Sequence, residues 1–100
     1  MPFDIQRLPA EYRADVQAVV DLLTRSGARE VYLFGSLVRP SAATVRDIDI
    51  AVRGLPPQHF YRAYGQLMMK LDHDFDLVDL DGDGRFIRRL LGSGSLERVA

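Results

Sequence analysis

The sequence predicts an α/β fold of the α+β kind, a small mixed β-sheet packed with helices in two layers. Three runs of strand length, Val31–Phe34, Asp47–Val52 and Phe75–Leu80, are rich in β-branched, aromatic or alternating apolar residues. Two other segments repeat apolar residues at helical spacing: Tyr12, Val16, Val19, Val20 and Leu23, then Phe60, Tyr64, Leu67, Met68 and Leu71. The connection of about a dozen residues between the first two strands is short for a helical crossover, whereas a whole helix follows the second strand, so the sheet should mix both pairings.

Each element has local punctuation. Leu8-Pro9 opens the first helix, because proline suits an early helical position, and Gly27 stops it. Val31-Tyr32-Leu33-Phe34 reads as a buried strand, and Gly35 directly after it allows a sharp turn. A polar connection through Ala43 and Thr44 leads to Asp47-Ile48-Asp49-Ile50-Ala51-Val52. Its period-two alternation sends Asp47 and Asp49 to one face and Ile48, Ile50 and Val52 to the other. Gly54-Leu55-Pro56-Pro57 closes that strand and opens the second helix. In the third strand Asp76 points away from Phe75 and Leu77; Gly82 and Gly84 then turn the chain into a short helix marked by Phe86, Ile87, Leu90 and Leu91.

Composition narrows the function classes. At 100 residues, 47% of them hydrophobic and 27% charged, residues 1–100 are expected to form one globular domain with a modest core. Asp4, Arg7, Glu11, Arg13, Asp15 and Asp21 interrupt the first segment, so it holds no signal-peptide core, and no later apolar run approaches membrane-spanning length. The absence of cysteine excludes disulfides and thiolate chemistry and fits a cytoplasmic protein. A net charge of −1 lacks the positive field of a dedicated nucleic-acid binder, so no direct nucleic-acid substrate is expected. Six of the fourteen acidic residues, Asp72, Asp74, Asp76, Asp79, Asp81 and Asp83, crowd one stretch, and Arg85, Arg88, Arg89 and Arg98 follow it. An acidic pocket can still hold a nucleoside triphosphate when bound magnesium offsets both sets of anions.

The chemistry concentrates in Gly35-Ser36 and Asp47-Ile48-Asp49. Carboxylates at i and i+2 lie roughly 7 Å apart along a strand, within reach of one cation or of a bridged pair. An isolated Asp-x-Asp is more simply a solvated strand face. Asp76 alters that balance: if its strand lies beside the Asp47/Asp49 strand, three carboxylates converge.

Leu33-Phe34-Gly35-Ser36, Arg39 three residues after the serine, ten intervening residues before Asp47-Ile48-Asp49-Ile50, and the later Phe75–Leu80 strand resemble, in order and spacing, the minimal nucleotidyltransferases (MNT) of the DNA polymerase beta superfamily. The resemblance covers most of the chain and implies a nucleotidyltransferase-like fold. Two positions depart from the family pattern: Pro40 stands where a glycine commonly follows the arginine, and Arg46 where a small polar residue often precedes the first aspartate. The implied activity is transfer of a nucleoside monophosphate, AMP from ATP, to a hydroxyl, with pyrophosphate leaving. Asp47, Asp49 and Asp76 would be catalytic and would hold Mg2+, two ions, with Asp76 on the acceptor side as ligand or general base. Gly35 and Ser36 would bind the phosphates through backbone N–H groups and a hydroxyl. Arg39 would reach the same phosphates through its planar fork or remain a solvated loop charge. Small MNT proteins resemble antitoxins paired with HEPN-domain proteins, which implies a partner whose tyrosine is the acceptor. The alternative is an MNT-fold binding module that neutralises its partner by complex formation alone.

Other features invite weaker readings. Asp79-Leu80-Asp81-Gly82-Asp83-Gly84 matches the first half of an EF-hand loop, but Leu90 stands where the bidentate glutamate belongs and a strand precedes it. Asp79 should face away from Asp76. His59 and His73 lack partners at metal spacing and suit helix-surface or cap-adjacent roles. Met68 and Met69 read as packing residues. Ser93 and Ser95 have no nearby base.

Overall fold

The alternating segments pair as the sequence demands in the computed structural model, which describes residues 3–39 and 47–100. Strands β1 (Glu30–Phe34), β2 (Ile48–Arg53), β3 (Phe75–Asp79) and β4 (Glu97–Arg98) form one sheet in the order β3-β2-β1-β4. β1 runs antiparallel to β2, with Tyr32 opposite Ala51 and Phe34 opposite Asp49. β2 and β3 are parallel, and helix α2 (Pro57–Lys70) makes the crossover that parallel pairing requires. The mixed sheet therefore follows from connection lengths. Pro40, Ala43, Thr44 and Arg46, which carry the turn-to-strand connection, lie outside the described residues.

Alternation decides which face is core. Val31, Leu33, Ile48, Ile50, Val52 and Leu77 point to one side and are buried against Val16, Val19 and Leu23 of helix α1 (Ala10–Arg25) and against Ala63 and Leu67 of α2. Truncating a fully buried leucine such as Leu23 or Leu67 to alanine is expected to cost about 2–5 kcal/mol. On the other side, Ala51, Leu80 and Leu90 form a smaller cluster with Tyr32, Phe34, Val78, Ile87 and Leu96. Helix α3 (Arg85–Gly92) supplies Ile87 and Leu90 to it, and Phe86 leans on Phe34 with ring centroids 6.4 Å apart.

Two side chains tie the helices to the sheet's entry points. His59 Nδ1 lies 2.8 Å from the Ser26 carbonyl, at the end of α1, the cap-adjacent role expected of it. Asp15 is buried in the apolar stripe of α1, and its Oδ2 accepts from the backbone N–H groups of Asp72 and His73 and contacts His73 Nδ1 at 2.7 Å. Tyr12 stacks on the same imidazole, centroids 4.2 Å apart, so α1 holds the segment that feeds β3.

Met68 and Met69 correct the packing expectation. They are 65% and 90% exposed, because the buried arc of α2 centres on Ala63 and Leu67. β4 has no signature in the sequence; its two residues, Glu97 and Arg98, are charged and carry no apolar signal, and backbone pairing with Tyr32 and Leu33 alone makes it a strand. Among the described residues no helix is long and apolar enough to cross a membrane.

Candidate active site

Phe34 ends β1 in extended conformation, and Gly35 then takes φ 74°, a left-handed geometry that any side chain would strain. A second constraint acts there. A Cβ on Gly35 would stand 2.1 Å from Asp49 Oδ2, so only glycine lets the turn lie against that carboxylate. The Gly35 carbonyl accepts from the N–H groups of Val38 (3.3 Å) and Arg39 (3.0 Å), closing a 3-10 turn over Gly35–Leu37. Leu37 is buried and anchors the turn in the core, leaving Ser36 half-buried beside it. Arg39 is exposed and donates from Nη2 to the Gly94 carbonyl at 3.0 Å, joining this turn to the loop after α3.

The carboxylates come from neighbouring strands. Asp49 and Asp76 are direct register partners in the parallel β2/β3 pair, so their side chains leave the same face, on strands about 4.8 Å apart. Asp47 precedes β2 and is exposed, as is Asp76, whereas Asp49 is partly buried. Burial pushes the Asp49 carboxyl up to about 6, and the negative charges of Asp76 and then Asp47 push in the same direction. All three predicted acids therefore share one electrostatic neighbourhood, beside the Gly35 turn.

Like charges so arranged favour capture of a proton or a cation. The donor set is all oxygen, which suits hard divalent ions such as magnesium. Among the described residues no group of three or more His, Cys, Asp and Glu side chains stands ready to hold a metal ion, so the fit rests on the all-oxygen donor chemistry and on a partly buried Asp49 that has Asp76 as its register partner.

The remaining acids are occupied elsewhere. Asp79 pairs with Val52 at the opposite end of β3 from the Asp49/Asp76 pair, and its Oδ1 accepts from Asp81 N–H at 2.9 Å. Asp81 Oδ2 accepts from Gly54 N–H at 2.7 Å, stapling the end of β2. The EF-hand-like run is thus a turn whose first carboxylates bond backbone. The Ser93 hydroxyl donates to the Leu90 carbonyl at 2.7 Å and lies 2.6 Å from that of Ser95. Asp15 escaped the sequence reading, although its spacing with Tyr12, Val16 and Val19 puts it inside a buried stripe, a signal that could have found it. An open groove of about 670 Å3 lies between α1 and α2 and shares no residue with the carboxylate cluster.

Residues 17–96 match the family model described as Polymerase beta, Nucleotidyltransferase. No curated protein matches the chain. Among solved structures, one described as a minimal nucleotidyltransferase superposes with TM-score 0.64 at 26% identity, over 98% of this chain and 96% of its own. A toxin-antitoxin structure with AMP-PNP gives TM-score 0.64 at 26% identity, over 82% of this chain and 69% of the other. A third, a tri-AMPylated Shewanella oneidensis HEPN toxin in complex with MNT antitoxin, gives 0.62 at 25% identity, over 86% and 69%.

Proposed function

We propose, from the premise that the chain belongs to the polymerase beta nucleotidyltransferase family, that it is a magnesium-dependent antitoxin which transfers AMP from ATP to a tyrosine hydroxyl of a HEPN-type toxin in the cytoplasm. The observation that carries this reading is the register pairing of Asp49 with Asp76 beside the Gly35 turn. Two structural neighbours support the substrate and partner: one holds AMP-PNP, and in another the HEPN toxin bound by an MNT antitoxin is AMPylated.

Asp47 and Asp49, with Asp76, are the residues to hold Mg2+, which when bound would neutralise the triphosphate and acidify the acceptor hydroxyl. The chain's own residues do the positioning. Gly35 allows the backbone to approach the β- and γ-phosphates, and Ser36 offers a hydroxyl and an N–H beside it. Asp76, exposed at the edge of the cluster, is the carboxylate that meets the acceptor and can accept its proton. The acceptor oxygen forms a bond to the α-phosphorus as the bond to the pyrophosphate oxygen breaks, and pyrophosphate leaves. Arg39 must exchange its Gly94 carbonyl for a phosphate if it joins the site.

Incubation with labelled ATP, Mg2+ and the HEPN-type partner tests this. Label is expected on a partner tyrosine and should vanish with Asp47→Asn. Stable complex formation without any label would replace transfer by neutralisation through binding alone.

A further inference from the structure

Helix α2 carries no Asp or Glu between Pro57 and Lys70, and its outer surface is basic. His59, Arg62, Gln66 and Met69 recur at three- and four-residue spacing, one continuous stripe. With Gly65 and Lys70 they line the groove of about 670 Å3, whose other wall is Leu22, Arg25 and Ser26 at the end of α1. Among the described residues no acidic side chain lines it. Among the described residues the ion pairs join Glu30 to Arg53 and Arg98, and Asp15 bonds His73, so Arg25, Arg62 and Lys70 meet no carboxylate. The nearest acid along α1, Asp21, accepts at its carboxylate from Gln17, and only its carbonyl receives Arg25 Nε.

Gly65 is an independent observation. It sits in the middle of α2, where alanine would support the helix better. Its φ is not positive, and a Cβ there would meet nothing within 4 Å. Nothing among the described residues asks for a glycine at this position. A glycine exposed on a helix face lets a second backbone come close. Beside it Met69 is 90% exposed, apolar surface that no described part of the chain covers. Exposed Met with Arg is the composition of protein interfaces.

We propose that this groove docks an acidic amphipathic helix of a protein partner. The partner helix crosses α2 at Gly65, sets its apolar stripe on the exposed Met69, and directs its Asp and Glu side chains to Arg25, Arg62 and Lys70. A nucleic-acid backbone would use the cations but neither the glycine gap nor the methionine, which is why the helix is favoured. The surface is separate from the carboxylate cluster, so its test does not depend on nucleotide transfer.

The experiment titrates the isotopically labelled full chain with a Leu/Glu amphipathic helical peptide, with its Leu/Lys counterpart, and with a short RNA, following amide shifts. The acidic peptide is expected to shift Arg25, Arg62, Gly65 and Met69 and to bind at least about tenfold more tightly than the basic one. Arg62→Glu and Gly65→Leu should each weaken it by about tenfold or more while circular dichroism stays unchanged, and Asp49→Asn should leave binding intact. No shift at millimolar acidic peptide, tighter binding of RNA at the same residues, or self-association of the chain through α2 would each overturn the proposal. If Gly65→Leu alters the fold, Arg62→Glu with Lys70→Glu decides the matter.

Discussion

Two aspartates, Asp15 and Asp49, are both withdrawn from water, and the molecule treats them in opposite ways. Asp15 is given two backbone N–H donors and an imidazole, so its charge is satisfied where it lies. Asp49 is given two other carboxylates and a glycine turn pressed against it, and burial and like charge push it up to about 6. The first arrangement holds the fold together. The second leaves like charge uncompensated, the condition on which the proposed binding of cations and triphosphate rests.

The contrast can be broken at either end. Asp15→Ala should have the largest effect, a loss of about 3 kcal/mol in urea denaturation, because it strands two N–H groups and the His73 ring in the segment that leads into β3. A loss under about 1 kcal/mol would mean that water replaces the carboxylate there. Gly35→Ala should cost about 2 kcal/mol, combining left-handed strain with the close approach to Asp49. It should also abolish the proposed transfer, since the turn must move away from the carboxylates.

Asp49→Asn should act with the opposite sign. The folded carboxyl binds its proton more tightly than the unfolded one, whose ordinary value is 3.8, so the native state is unpenalised below that value. The penalty grows as pH rises and is complete above about 6. Asp49→Asn is therefore expected to stabilise the protein by roughly 1–2 kcal/mol at pH 7, allowing for solvent screening of a partly exposed group, and by nothing below pH ~4. Added Mg2+ should raise the Tm of the natural chain at pH 7 more than at pH ~5, and should do little for Asp49→Asn. Asp81→Ala, which removes the staple on Gly54 N–H, should cost least, about 1 kcal/mol in the same denaturation.

The same contrast explains what the sequence could reveal. Period-two alternation puts Asp49 and Asp76 on predictable faces, and the helix after the second strand allows a parallel crossover, but the sequence leaves open whether the two strands are neighbours, which the β2/β3 register answers. Asp15 is not legible, since a carboxylate among Tyr12, Val16 and Val19 looks like an interruption until its partners arrive from residues 72 and 73, far along the chain. Arg39 is similar: its bond to Gly94 spans 55 positions and leaves no local pattern. Hydrophobicity alone does not say on which side of a helix arc Met68 and Met69 fall. Long-range contacts and surface patches are what spacing cannot encode.

The electrostatic coupling of the three carboxylates is measured most directly by following the Asp49 side-chain carboxyl carbon through a pH titration by NMR, in the natural chain and in Asp76→Asn. A midpoint near 6 that falls in the variant is the predicted result. A midpoint at the ordinary 3.8, or one that ignores loss of Asp76, would contradict the account.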